Sequence, residues 1–244
     1  MIERIAEASP RRLARIAGLL YVVSAAGALF PELVRSNVIV PGDAAATADN
    51  IRASATLFRL GFVTEVASNI TWLPMLMLLY LLFRHVNQLV GATMVLFAAV
   101  GAAVQSLNML HHYTALTIAT DDAYTRSFGQ AGADALTHLF ADMHYNGYRL
   151  NAVFVGPWLV PLGYLVIKSG YLPKLLGVLL ITGCFGYLAM FFTTFVAPDA
   201  PEGIRTLFTV VGGVGEIVFM LWLLVKSVRV PVPAAPVPAV LNQP

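Results

Sequence analysis

The chain has 244 residues, of which 58% are hydrophobic and only 11% charged, with a mean hydropathy of +0.76. Soluble domains carry about a quarter charged residues, and a soluble chain of this make-up would expose large apolar patches. The formal net charge of +2 is too small for a nucleic-acid partner, and the single cysteine, Cys184, excludes a disulfide framework within the chain.

The predicted elements follow from apolar runs of spanning length, about 20 residues each. After a polar N-terminal segment (1–12) with Arg11 and Arg12, a first span covers Leu13–Phe30, with Arg15 just inside it. Its basic start and the small residues Ser24-Ala25-Ala26-Gly27-Ala28 also fit a signal peptide; the expectation is a retained first helix. Pro31–Ala55 reads as a polar connection in which Asp43 caps a short Ala-rich helix reaching Arg52. A second span covers Leu57–Phe83 and embeds Arg59, Glu65, Asn69 and Pro74. A third, Leu89 to Ile118, turns polar through Gln105, Asn108, His111 and His112.

Thr120–Ala135 carries Asp121, Asp122 and Asp134 and is predicted to be an acidic loop. Spans four, five and six follow at Leu136–Ile167, Leu175–Val196 and Leu207–Val225, with the basic turn Lys168 to Lys174 between four and five. Residues 228–244 form a Pro-rich tail expected to be extended. The fold class is therefore all-α: a polytopic membrane protein, one transmembrane domain of six helices over 13–227. The lysines, Lys168, Lys174 and Lys226, flank one side of the spans together with Arg4, Arg11, Arg12, Arg15, Arg84 and Arg229, while Arg35, Arg52, Arg126 and Arg205 fall on the other. The positive-inside rule then places both termini in the cytoplasm of a plasma-membrane protein.

Several stretches carry a family likeness. They are RIAGLLY (Arg15–Tyr21), VPGDAAATADNI (Val40–Ile51) with LFRLG (Leu57–Gly61), MHYNGY (Met143–Tyr148), GYLVIKSGYLPKLLGVLL (Gly163–Leu180) and EIVFMLWLLVK (Glu216–Lys226). Together they resemble a bacterial membrane-protein family, domain of unknown function 4386, over nearly the whole chain up to Val228. Tyr145 stands where that family has an acidic residue after the histidine, which argues against acid/base work there. The resemblance implies an architecture and no mechanism.

Chemistry is expected among polar groups at depth, because charges in a bilayer are costly and face the bundle interior or a watery cavity. Gln105, Asn108 and His112 share one helical face; His144, Tyr148 and Asn151 share another, and His138, Asp142, Tyr145 and Arg149 a third. A weak internal repeat aligns Arg15, Gly18, Gly27, Glu65 and Trp72 with Lys174, Gly177, Gly186, Glu216 and Trp222. The candidate ligand-binding residues are Glu65, Asn108, His112, His144, Arg149 and Glu216, lining an outward-facing polar pocket. Arg149 is expected to pair with Glu65 or Glu216.

Three function classes fit. The leading one is a carrier or receptor for a small solute or lipid. The alternatives are an intramembrane metal-assisted hydrolase drawing on His112, Asp142 and His144, and a structural or assembly protein. Adjacent His111 and His112 point about 100° apart and no histidine spacing matches a metal motif, so no metal and no cofactor is assigned. The lipid bilayer is the expected partner, and no nucleic acid.

Overall fold

A computed structural model describes residues 9–229. The elements are α1 (Pro10–Val38), α2 (Ala44–Ala53), α3 (Ala55–Phe83), α4 (Gln88–Thr120), α5 (Asp122–Leu150), α6 (Ala152–Val155), α7 (Leu159–Ser169), α8 (Lys174–Val196) and α9 (Glu202–Val225). Six helical segments are long and apolar enough to cross a membrane, the fourth being α5 to α7 taken together. The all-α six-span architecture stands. Most of the predicted Pro-rich tail and the first eight residues lie outside the described residues.

Local chemistry sets the helix ends. Asp43, Asn87 and Asp121 each accept a backbone N–H of the first turn of α2, α4 and α5. Gly170 closes α7 in the left-handed conformation (φ 69°), and Pro173 lies just before α8. Where α7 crosses α8, a Cβ on Gly163 or Gly177 would come within 2.5 Å of the other's carbonyl oxygen. Only glycine permits that approach.

Three expectations need correction. Pro31 does not end the first helix: α1 runs on to Val38, because a proline removes one backbone donor without forbidding the turns after it. The acidic stretch is helical, part of α5, interrupted only at Gly129 (φ 72°). Span four is not one rod; Asn151 separates α5 from α6, and Gly156 and Pro157 separate α6 from α7.

α1 packs along α3, α8 along α9, and α9 returns to α1, while α4 packs on α5 and α7 lies against α4 and α8. One end gathers the basic flanks. There Ser227 Oγ donates to the Arg11 carbonyl (3.0 Å), Arg229 N to the Tyr171 carbonyl (2.9 Å), and His85 packs on Tyr171. The large apolar core, with Tyr21, Met75, Leu79, Trp158, Leu162 and Phe219, fills this half. At the opposite end a small cluster of Val34, Val38, Ile51, Phe58, Leu116 and Ala119 closes the bundle beneath α2. The Arg52 guanidinium fixes that cap by ion pairs to Asp49 and Asp134, and its Nε donates to the Ala119 carbonyl (3.1 Å).

Candidate metal centre

Between the apolar core and the cap lies a buried polar layer. α3 supplies Glu65, α4 supplies Gln105, Asn108 and His112 on the single face their spacing predicts, and α5 supplies His144. All five are buried. The ring of His112 stacks on Phe58 at 4.0 Å, and its Nε2 lies 3.0 Å from the Phe58 carbonyl. A carbonyl can only accept, so Nε2 carries the hydrogen and Nδ1 keeps a lone pair. His144 Nδ1 lies 3.2 Å from the Asn108 carbonyl, so there Nδ1 carries the hydrogen and Nε2 is bare. Asn108 Nδ2 returns the bond to the His144 carbonyl at 2.8 Å, which locks α4 to α5 at this level.

Glu65 Oε1 accepts from Gln105 Nε2 at 2.6 Å. Its Oε2, His112 Nδ1 and His144 Nε2 have no hydrogen-bond partner among the described residues. One ligand atom from each of the three residues lies within 4.8 Å of the others, and Glu65 Oε2 is 3.6 Å from His144 Nε2. Two bare lone pairs facing each other in an apolar interior repel, so a positive charge belongs between them. A hydrogen bond would draw the atoms to about 2.7–3.2 Å. A tetrahedral ion with bonds of about 2.0–2.2 Å holds its ligand atoms about 3.3–3.6 Å apart, a range that reaches the observed separation. Both imidazoles also spend their second nitrogen on a backbone carbonyl, the outer-shell arrangement that orients metal-ligating histidines.

The remaining predicted residues lie elsewhere. Glu216 sits on α9, where Tyr21 Oη donates to its Oε2 and Tyr187 Oη to its Oε1 (2.7 Å), joining α1, α8 and α9. Arg149 pairs with neither glutamate. It donates to the Tyr145 hydroxyl and its guanidinium lies 4.0 Å over that ring, because positions 145 and 149 occupy a different face of α5 from His144. Asp142 is half exposed, 3.5 Å from His138, and takes no part in the layer.

The predicted residues do not line one open pocket. Glu65, Asn108, His112, His144 and Glu216 are 8% exposed or less. An apolar hollow between α3 and α4, lined by Phe62, Val66, Asn69, Ala102, Ser106 and Met109 among others, contains none of the six. Sequence reasoning named Glu65, His112 and His144 without foreseeing that these three converge, and it missed Tyr21 and Tyr187. Those tyrosines give no signal in an apolar run.

A sequence profile described as a domain of unknown function (DUF4386) matches residues 16–227. The chain belongs to the DUF4386 family. Glu65, His112, His144 and Glu216 all lie inside the matched region. An uncharacterized protein of Archaeoglobus fulgidus is 30% identical over 151 residues, which cover 61% of this chain and 72% of that relative. No solved structure matches.

Proposed function

We propose that this DUF4386 protein is a metal-dependent integral membrane protein in which Glu65, His112 and His144 hold a transition-metal ion. The supporting observation is that three buried residues each bring a ligand atom within 4.8 Å of the others and each keep one such atom without a partner among the described residues, the second nitrogen of both imidazoles being held by a backbone carbonyl. Two nitrogens and one carboxylate oxygen suit Zn2+, and three protein ligands leave a coordination position for water or substrate, as in catalytic rather than structural zinc sites. Such an ion supplies Lewis-acid activation of that water or substrate. Metal-assisted hydrolysis within the bilayer is thus favoured over the carrier reading, since Arg149 and Glu216, on which the carrier reading drew, do not join the layer. Glu65 takes the place that the sequence offered to Asp142.

The basic end, with Lys168, Lys174, Lys226, Arg11 and Arg84, fits the cytoplasmic side of a plasma membrane, which puts the capped end and the nearby centre toward the outside. A cytoplasm-specific reporter fused after Lys226 should be active and one inserted at Ser127 silent.

The metal is tested on protein purified in detergent, loaded with zinc and dialysed against chelator. About one zinc per chain should remain, with an X-ray absorption shell of nitrogen and oxygen at about 2.0–2.1 Å and imidazole scattering beyond it. Absence of retained zinc, or an all-oxygen shell, would overturn the reading.

A further inference from the structure

Arg35 stands in the last turn of α1 and is 5% exposed. Among the described residues its side chain makes one ion pair, Nη2 to Glu32 one turn earlier, and that carboxylate is 47% exposed. Nε and Nη1 are buried with no acceptor among the described residues. A guanidinium offers five N–H donors, so a buried one with two idle nitrogens has room for further acceptors beyond Glu32.

Arg35 is linked to the metal centre through its contact with Tyr148 and through its neighbours on α1. Its guanidinium carbon lies 5.8 Å from the Tyr148 ring centroid, and Tyr148 is one turn from His144 on the same face of α5. Pro31, one turn before Arg35, packs over Gly61, whose open side is also met by His112 Cε1: a Cβ there would lie 3.5 Å from Pro31 and 3.8 Å from that ring. Val34 and Val38 on either side of Arg35 join the cluster containing Phe58, which stacks on His112. Side chains on a helix tilt toward its N-terminus, which brings Arg35 down from the capped end and Tyr148 up to meet it.

The charges favour one class of ligand. Glu32 and Arg35 cancel, and a divalent ion on Glu65 leaves one positive charge, which a singly charged oxyanion neutralises. A phosphate group offers oxygens that suit both a metal ion and a guanidinium, and arginine is the residue suited to such groups. We infer that Arg35 is the anion-recognition residue of this centre and that its ligand carries an anionic phosphate group, on a lipid or free in solution. The inference rests on the metal-centre reading for the ion and on Arg35 alone for the anion.

The test uses full-length protein in a phosphate-free maltoside detergent, zinc-loaded and freed of excess metal, and a metal-free sample beside it. Inorganic phosphate is titrated calorimetrically, and phosphatidylglycerol retention is read by native mass spectrometry. Arg35→Met should weaken whichever probe binds by about 30-fold or more while zinc stoichiometry stays that of the parent. Arg35→Lys should lose less, and carries the same comparison if the methionine variant does not purify. Phosphate binding identifies a soluble source; retention of phosphatidylglycerol alone identifies a headgroup. Equal binding by parent and variants, or binding of neither probe by the parent, overturns the inference. If zinc does not bind at all, the metal reading fails separately, and an Arg35-dependent signal in the metal-free sample still upholds the arginine's role.

Discussion

Glu65 and Glu216 occupy matching places in the sequence, each an isolated carboxylate deep in an apolar helix with a tryptophan a few residues on, yet their surroundings differ. Glu216 has a tyrosine hydroxyl on each oxygen. Glu65 has one oxygen held by Gln105 and the other aimed at bare imidazole nitrogens. The first is a completed knot joining α1, α8 and α9. The second leaves one carboxylate oxygen and two imidazole nitrogens without partners among the described residues. Burial of a carboxylate therefore does not mark a site in this protein; unsatisfied lone pairs around it do.

The largest expected effect comes from removing a ligand. His144→Ala should abolish zinc retention, a bigger loss than the roughly 10–100-fold typical of outer-shell changes. The Asn108–His144 clamp should matter next. A Cβ on residue 147 would fall 2.0 Å from Asn108 Oδ1, so Gly147→Ala should displace Asn108 and the imidazole it orients. Gln105→Leu frees Glu65 Oε1. Both should weaken zinc binding by about 10–100-fold in a competition titration, with helix content unchanged. Zinc affinity should also fall as pH is lowered, because protons compete for both imidazoles and the carboxylate. A flat pH profile would separate the bound zinc from these ligands.

Smaller effects sharpen the contrast from the other side. Tyr187→Phe strips one hydroxyl from Glu216 and should cost about 1–3 kcal/mol of stability, the penalty of a buried acceptor left unpaired. Zinc affinity should not change. Arg149→Ala should be nearly silent, within about 0.5 kcal/mol, since its partner is the neighbouring Tyr145 on a half-buried face. Coupling between Arg149 and Glu65 in a double-variant cycle would contradict that placement.

Parts of this arrangement were legible in the chain. Asp43 announced α2, and the spacing of Gln105, Asn108 and His112 put them on one face, where the structure finds them. Depth also followed, since the layer lies away from the large apolar core. What was not legible needed tertiary contact. Nothing local says that Glu65 on α3 meets His144 on α5, which are brought together by packing across α4. Local rules also misled: Pro31 read as a helix end hid Arg35 in a connection, although Glu32 with Arg35 and Val34 with Val38 carry helical spacing. Arg149 looked in need of a distant glutamate, but an aromatic partner one turn away suffices.

The central claim is tested most directly by making the same conservative change at both glutamates. Zinc affinity would be measured by competition titration for Glu65→Gln and Glu216→Gln beside the parent protein. The account predicts that Glu65→Gln loses zinc by more than about 100-fold while Glu216→Gln binds as the parent does. Equal affinity in the two variants, whether both retained or both lost, would contradict it.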